Sequence, residues 1–154
     1  MREQFLCIDA YRWWQKFVLP VTMVETGRTK GVTIVVSPLL SLIVDQVHNL
    51  SKRGVSALCL YGGQETAEKK KSLAKLNESA TPQSCKLFYL TPEMLNKNNA
   101  VNTTIRKLYE RRELARFVID EAHCISQWDH DFRPDYKELC NLKKKYIKMF
   151  LSLL

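Results

Sequence analysis

The chain has 154 residues, of which 45% are hydrophobic and 26% charged, so one ordinary globular domain with a real core is expected. Lys and Arg outnumber Asp and Glu by 24 to 16, and the charge of +8 suits either a protein that meets nucleic acid or simple solubility. No apolar run approaches the roughly 18 residues of a membrane span, which argues against a membrane protein and predicts a soluble, unsecreted chain.

Four short runs have the length and composition of buried strands. They are rich in β-branched and aromatic residues, which favour the pleated, half-buried surface of a sheet. The runs are 32–36 (VTIVV), 56–60 (SALCL), 86–90 (KLFYL) and 115–119 (ARFVI).

The segments between these runs show helical spacing. Apolar residues recur every three to four positions in two of them, and the charged stretch 65–76 is typical of a solvated helix. The apolar sets are Leu39, Leu42, Ile43, Val47 and Leu50, and Ile105, Leu108 and Tyr109. Strands that alternate with helices predict an α/β fold, with a parallel sheet covered by helices on both faces.

The cysteines and the lysine runs predict no site. Five cysteines show no C-x-x-C pair and no matching His spacing, so buried reduced thiols are expected rather than a zinc site or a disulfide framework. The lysine triplets at 69–71 and 143–145 are more typical of solvated helix faces than of phosphate contacts.

Two acids follow the last predicted strand directly. In a parallel α/β sheet, ligands bind beyond the carboxyl ends of the strands, so Asp120 would be delivered to a functional edge. Its carboxylate suits Mg²⁺, and Glu121 would be placed to polarise an attacking water. The structural alternative is an acidic helix N-cap. Because Ala122 and His123 complete D-E-A-H, a Walker B pattern of nucleic-acid-dependent NTPases, the functional interpretation is favoured.

Four further segments, in this order, carry a family resemblance: VVSPLLSLIVDQV (35–47), LFYLTPEML (87–95), LYERRELARFVIDEAHCISQW (108–128) and HDFRPDY (130–136). Together they closely resemble the first motor lobe of RecQ-family DNA helicases in superfamily 2, and most of all the eukaryotic Bloom-type branch. The resemblance covers about residues 31–146 and implies an incomplete RecA-like lobe of the P-loop NTPase type.

The resemblance implies ATP hydrolysis with Mg²⁺ and 3′–5′ translocation on single-stranded or forked DNA, in nuclear recombination and repair. Asp120 matches the metal-side acid of these enzymes, Glu121 the catalytic base and His123 the coupling histidine. Further matched positions imply DNA contacts or a loop that links DNA occupancy to hydrolysis. These are Pro38, Leu39, Ser41, Gln46, Thr91, Pro92, Glu93, Gln127, Trp128, His130, Phe132 and Arg133.

The aromatic and basic residues of this set also make physical sense as DNA contacts. Trp128 and Phe132 offer faces for base stacking, and His130 and Arg133 suit phosphates. A packed loop is the structural alternative for the aromatics. For Pro38 and Pro92 the alternative is a place in the first turn of a helix, which is compatible with a DNA role.

Several features depart from the family pattern. No G-x-x-x-x-G-K-[ST] loop, which cradles nucleotide phosphates, exists anywhere in the chain, and residues 1–30 diverge. The lost Lys and Ser would fall near Trp13 and Trp14, a pair that suits cover for a sheet edge better than a binding platform. Asp129 replaces a family glycine, residues 147–154 form a divergent apolar tail, and the arginine-supplying second lobe is absent.

The sequence therefore predicts a fragment of a RecQ-like ATP-dependent helicase that is inactive on its own. The alternative is a non-catalytic module that binds nucleic acid or a partner. A third possibility is a chain that does not fold stably, because the loss of the strand before the phosphate loop would uncover a sheet edge.

Overall fold

The computed structural model describes residues 5–8, 31–78 and 85–120. In chain order, the elements of these residues are β1 (Phe5–Ile8), β2 (Val32–Val36), α1 (Leu40–Lys52), β3 (Ala57–Leu60), α2 (Thr66–Glu78), β4 (Leu87–Leu90), α3 (Pro92–Lys97), α4 (Asn99–Glu110) and β5 (Leu114–Asp120). The four strands predicted from the sequence are confirmed, with boundaries that agree to within one residue.

The strands form one parallel sheet with the order β1-β5-β2-β4-β3. Strand β5 lies inside the sheet, between β1 and β2. Because every strand runs in the same direction, all of the carboxyl ends meet at one edge, which is called the carboxyl edge below. The predicted α/β fold class is confirmed.

Alternate residues of the strands pack on opposite faces of the sheet, as the two-residue period of a strand requires. One face packs against α2, α3 and α4 through residues such as Leu76 and Ile105. The other face packs against Ile43 and Leu50 of α1. Burial on both faces explains why the inner strands read as nearly continuous apolar runs.

Strand β1 corrects the expectation of an uncovered sheet edge. Phe5–Ile8 pairs in parallel with β5, and the register runs from Phe5 opposite Phe117 to Ile8 opposite Asp120. The segment 1–30, which was predicted to diverge, therefore contributes a strand beside β5. Trp13 and Trp14 lie outside the described residues.

Two contacts position the start of β5. The amide of Val32 donates a hydrogen bond of 2.7 Å to the carbonyl oxygen of Glu113, which ties β2 to the turn before β5. The Arg111 guanidinium donates to the carbonyl oxygens of Leu76 (2.7 Å) and Asn77 (2.6 Å) in the last turn of α2, and it pairs with Glu113 at 2.8 Å. The turn that leads into β5 is thus attached both to the sheet and to a helix.

Candidate functional site

Asp120 is the last residue of β5 and lies at the carboxyl edge of the sheet. Its register partner on one side is Ile8, the last residue of β1. The residue is only 1% exposed, and its Oδ2 atom is shielded from solvent. The structure therefore places this carboxylate where the sequence predicted it, at the rim of the sheet, but in a closed environment.

The segments that follow β2 and β4 begin at the same edge. The amide of Ser37 donates a hydrogen bond of 3.0 Å to the carbonyl oxygen of Leu90, which joins the ends of these two strands. Pro38 and Leu39 follow Ser37, and Thr91 follows Leu90. Two of the segments predicted to contact DNA therefore start at the edge where Asp120 lies. One follows β2, which is adjacent to β5, and the other follows β4, which is two strands away from β5.

The start of α1 presents an apolar and polar surface to solvent. Leu39, Leu40 and Val44 are exposed by 47%, 42% and 45%, which is unusual for large apolar side chains, and Ser41 is exposed as well. Gln46 is half-buried, and its Oε1 atom is buried with no hydrogen-bond partner within the described part of the chain. Leu39 and Ser41 are accessible to a DNA strand in solution, whereas the Oε1 atom of Gln46 is buried.

The segment after β4 is less accessible. Thr91 is 8% exposed and Pro92 is buried, while Glu93 is half-buried. The carbonyl oxygen of Thr91 accepts hydrogen bonds from the amides of Met94 (3.1 Å) and Leu95 (3.2 Å), and Pro92 occupies the first turn of α3. The helix-start alternative considered for Pro92 is thus observed, and Glu93 is the most accessible of the three predicted DNA contacts.

The remaining predicted site residues lie outside the described part of the chain. Their positions, and the effect of Asp129, stay predictions from the sequence. They are Glu121, His123, Gln127, Trp128, His130, Phe132 and Arg133.

Tyr89 is a site neighbour that the sequence analysis treated only as part of a motif. It lies in β4, is fully buried, and packs on the face of the sheet that carries α1. Burial raises the pKa of its hydroxyl, and the negative charge of Asp120 raises it further. The hydroxyl therefore stays protonated at neutral pH.

The described part of the site offers a single carboxylate, that of Asp120, which suits a cation and repels the phosphates of a nucleotide. Asp120 offers carboxylate oxygens of the kind that Mg²⁺ prefers, although no cluster of three or more His, Cys, Asp or Glu exists among residues 31–78 and 85–120. Strand β1 ends opposite Asp120, and the sequence then continues Asp9-Ala10-Tyr11-Arg12, without glycine or lysine. A glycine-rich phosphate cradle is therefore missing from the segment that begins beside the acid.

Comparison with known proteins identifies the family. The profile of the DEAD/DEAH box helicases matches residues 15–152, which is most of the chain. The chain belongs to the DEAD/DEAH box helicase family. Its D-E-A-H residues at 120–123 lie within the matched range, and the first of them, Asp120, is the last residue of β5.

Similar curated proteins are RecQ-type helicases, as the motifs predicted. The chain is 48% identical over 124 residues to the ATP-dependent DNA helicase hus2/rqh1 of Schizosaccharomyces pombe, a match that covers 80% of this chain and 9% of the relative. It is 50% identical over 116 residues to the RecQ-like DNA helicase BLM of Xenopus laevis (75% and 8%). It is 42% identical over 124 residues to the ATP-dependent helicase SGS1 of Saccharomyces cerevisiae (80% and 8%).

The chain spans about a tenth or less of the length of these relatives. DEAD/DEAH box helicases as a family use ATP and Mg²⁺. No helix within residues 31–78 and 85–120 has the length and apolar character needed to cross a membrane.

Proposed function

We propose that this chain is part of the first motor lobe of a RecQ-like helicase, a class that unwinds DNA with 3′–5′ polarity at the expense of ATP. The observation that carries the proposal is the position of Asp120 at the carboxyl edge, where the adjacent strand β2 and the next strand in the sheet, β4, also end. These strands lead into the two segments that resemble DNA-side motifs of the family. An acid on the nucleotide side and segments on the DNA side thus share one edge of one sheet.

In this proposal the residues have the roles that the resemblance implies. Asp120 holds Mg²⁺ directly or through water, Glu121 acts as the base toward water, and His123 couples the two sites. Pro38, Leu39, Ser41, Gln46, Thr91, Pro92 and Glu93 form the DNA side in the described part of the chain. Gln127, Trp128, His130, Phe132 and Arg133 supply the loop that responds to DNA. Recombination and repair in the nucleus are the setting that the resemblance suggests.

We further propose that the chain by itself does not hydrolyse ATP. Phosphoryl transfer depends on positioning and on charge stabilisation, and backbone amides with a lysine normally supply both around the β- and γ-phosphates. The segment that begins beside Asp120 starts with another acid, Asp9, and two indoles follow at Trp13 and Trp14. A negative charge and bulky apolar rings do not replace an ammonium group and a glycine-rich loop.

The alternative function is a non-catalytic module that binds nucleic acid. The charge of +8 favours this alternative, since basic residues contact phosphates without any need for a nucleotide site. The exposed start of α1 remains available for such binding, because Leu39, Leu40 and Ser41 are accessible while the acid at the edge is not.

One experiment distinguishes a chain that hydrolyses ATP from one that only binds nucleic acid. ATP hydrolysis is measured with and without single-stranded DNA, for the chain and for Asp120→Ala, and DNA binding is measured across a range of salt concentrations. We expect binding that weakens with salt and hydrolysis no greater than that of Asp120→Ala. A DNA-stimulated rate of ATP hydrolysis above that of Asp120→Ala would contradict the proposal that the chain does not hydrolyse ATP. It would show that the chain is an active ATPase. Loss of DNA binding at low salt would contradict both functions.

A further inference from the structure

We propose that the outer edge of β3 is a docking site for an extended acidic segment of a partner protein, which adds to the sheet as a further strand. The Gln64 side chain covers part of this edge until the partner displaces it. The inference goes beyond the proposed function, because it requires neither ATP nor DNA. Strand β3 is the last strand in the order of the sheet, and in the part of the chain that the structure describes its neighbour is β4.

The backbone groups of β3 alternate between β4 and the outer edge. The carbonyl oxygen of Ser56, just before β3, accepts a hydrogen bond of 3.3 Å from the amide of Leu87, so this group faces β4. Because the hydrogen-bonding direction of a strand alternates from one residue to the next, the amide and carbonyl groups of Ala57 and Cys59 face the other way. These groups form the outer edge.

The Gln64 side chain occupies the carboxyl half of this edge. Its Nε2 atom donates a hydrogen bond of 3.3 Å to the carbonyl oxygen of Cys59, and its Oε1 atom accepts one of 3.1 Å from the amide of Tyr61. One residue of a parallel neighbouring strand would form the same two bonds, one as donor and one as acceptor. The side-chain amide therefore stands where the backbone of an added parallel strand would lie.

The amino half of the edge has no such cover within the described residues. Ala57 and Cys59 are half-buried, and β3 reads Ala-Leu-Cys-Leu, without the charged residue or proline that commonly protects an edge strand. Outward backbone groups of this kind recruit an extended peptide through main-chain hydrogen bonds. The structural alternative is that the short length of β3 and the Gln64 contact together close the edge permanently.

The charges around the edge favour an acidic segment. Lys52 and Arg53 are exposed at the end of α1, a few residues before β3, so two cations lie near the amino end of the edge. Burial raises the pKa of the Cys59 thiol and the negative charge of Glu68 raises it further, so an acid lies near the carboxyl half. A parallel segment with acids in its first residues would meet the cations and keep its acids away from Glu68.

The first measurement is the binding of a fluorescein-labelled peptide, EEVTVT, to the full chain, read from fluorescence anisotropy. We expect Gln64→Ala to bind the peptide about fivefold more tightly than the wild type, because no side-chain hydrogen bonds have to be broken. Equal or weaker binding by Gln64→Ala would overturn the proposal. Displacement of the peptide by single-stranded DNA would also overturn it, since nucleic acid would then hold the edge.

A pair of charge reversals tests the preference for acids. Lys52→Glu should weaken binding of the peptide about fivefold. Lys107→Glu is the matched control, because Lys107 is likewise an exposed lysine in the last turn of its helix, α4, and should leave binding unchanged. Equal effects of the two variants would overturn the placement of the acids beside α1.

The second measurement locates the contact in the wild type by amide hydrogen exchange, followed by NMR with and without the peptide. We expect the amides of Ala57 and Cys59 to gain about tenfold protection, whereas the amide of Leu58, which faces β4, changes little. Bound peptide without protection at Ala57 and Cys59 would overturn the proposal. Protection that rises with chain concentration in the absence of peptide would assign the edge to a second copy and overturn the acidic partner.

Discussion

The carbonyl oxygen of Glu113 occupies the place where a Cβ atom on Gly31 would lie. The same oxygen accepts the amide hydrogen of Val32 at 2.7 Å, so the close approach belongs to the hydrogen bonding that joins β2 to the turn before β5. Gly31 also has a φ of +117°, a conformation that L side chains rarely adopt. The entry of β2 into the sheet therefore requires glycine at this position.

The first prediction concerns this glycine. Gly31→Ala should destabilise the fold by about 3 kcal/mol or more, because the added methyl group overlaps a backbone oxygen and the residue is held at an unfavourable φ. Gly62→Ala is the matched control, since a Cβ there meets nothing within 4 Å and no unusual φ is involved. Urea unfolding measures both variants. Equal stability of Gly31→Ala and Gly62→Ala would contradict the observed packing.

The second prediction concerns the Arg111 contacts. Arg111→Ala should lower the free energy of unfolding by about 1–2 kcal/mol, because two charge-assisted hydrogen bonds to backbone carbonyls are lost together with the pair to Glu113. Arg106→Ala removes only an exposed i,i+4 pair with Glu110 and should cost less than about 0.5 kcal/mol. Chemical denaturation of the two variants tests the difference. A larger loss for Arg106→Ala would argue against the attachment of α2 to this turn.

The third prediction is a pH dependence. Burial raises the pKa of the Cys85 thiol from 9.0 to about 12, so the folded state holds a proton that the unfolded chain releases above pH 9. The contribution of this thiol to stability is therefore complete below pH 9 and declines as the pH rises toward 12, by at most about 1.4 kcal/mol per pH unit.

Thermal melts of the wild type and Cys85→Ala between pH 8 and 11 check this dependence. The melting temperature of the wild type should fall with rising pH more steeply than that of the variant. The variant should already have a lower melting temperature at pH 8, because a buried side chain is truncated. An equal dependence of melting temperature on pH in the two proteins would contradict a raised pKa of Cys85. Native Cys85 should also resist alkylation at pH 8, whereas the unfolded chain should react.

Much of the sheet was predictable, because β2, β4 and β5 carry runs of β-branched and aromatic residues and are largely buried. Strand β1 was not predicted. Its four residues FLCI lie between charged stretches, and the pairing that makes them a strand is with β5, more than a hundred positions away in the sequence. Local periodicity carries no information about such a partner.

The candidate site was predictable only where consecutive residues in the sequence carry the signal. The run of apolar residues into Asp120 indicates a strand end, and the structure places Asp120 there. The electrostatic effect of Asp120 on Tyr89 could not be predicted from the sequence, because it depends on the register of β4, β2 and β5 together. The burial of Thr91 and Pro92 likewise follows from tertiary packing and not from their sequence context.

A motor lobe of this kind requires DNA to reach the exposed start of α1, at the edge that carries Asp120. A photoreactive amino acid is introduced at Ser41 and, as a control, at Lys107, which is exposed on α4 and supported by the opposite face of the sheet. Each chain is irradiated with single-stranded DNA in moderate salt. We predict crosslinks from position 41 and few from position 107. Equal crosslinking at both positions, or crosslinks from position 107 alone, would contradict a DNA site at the carboxyl edge.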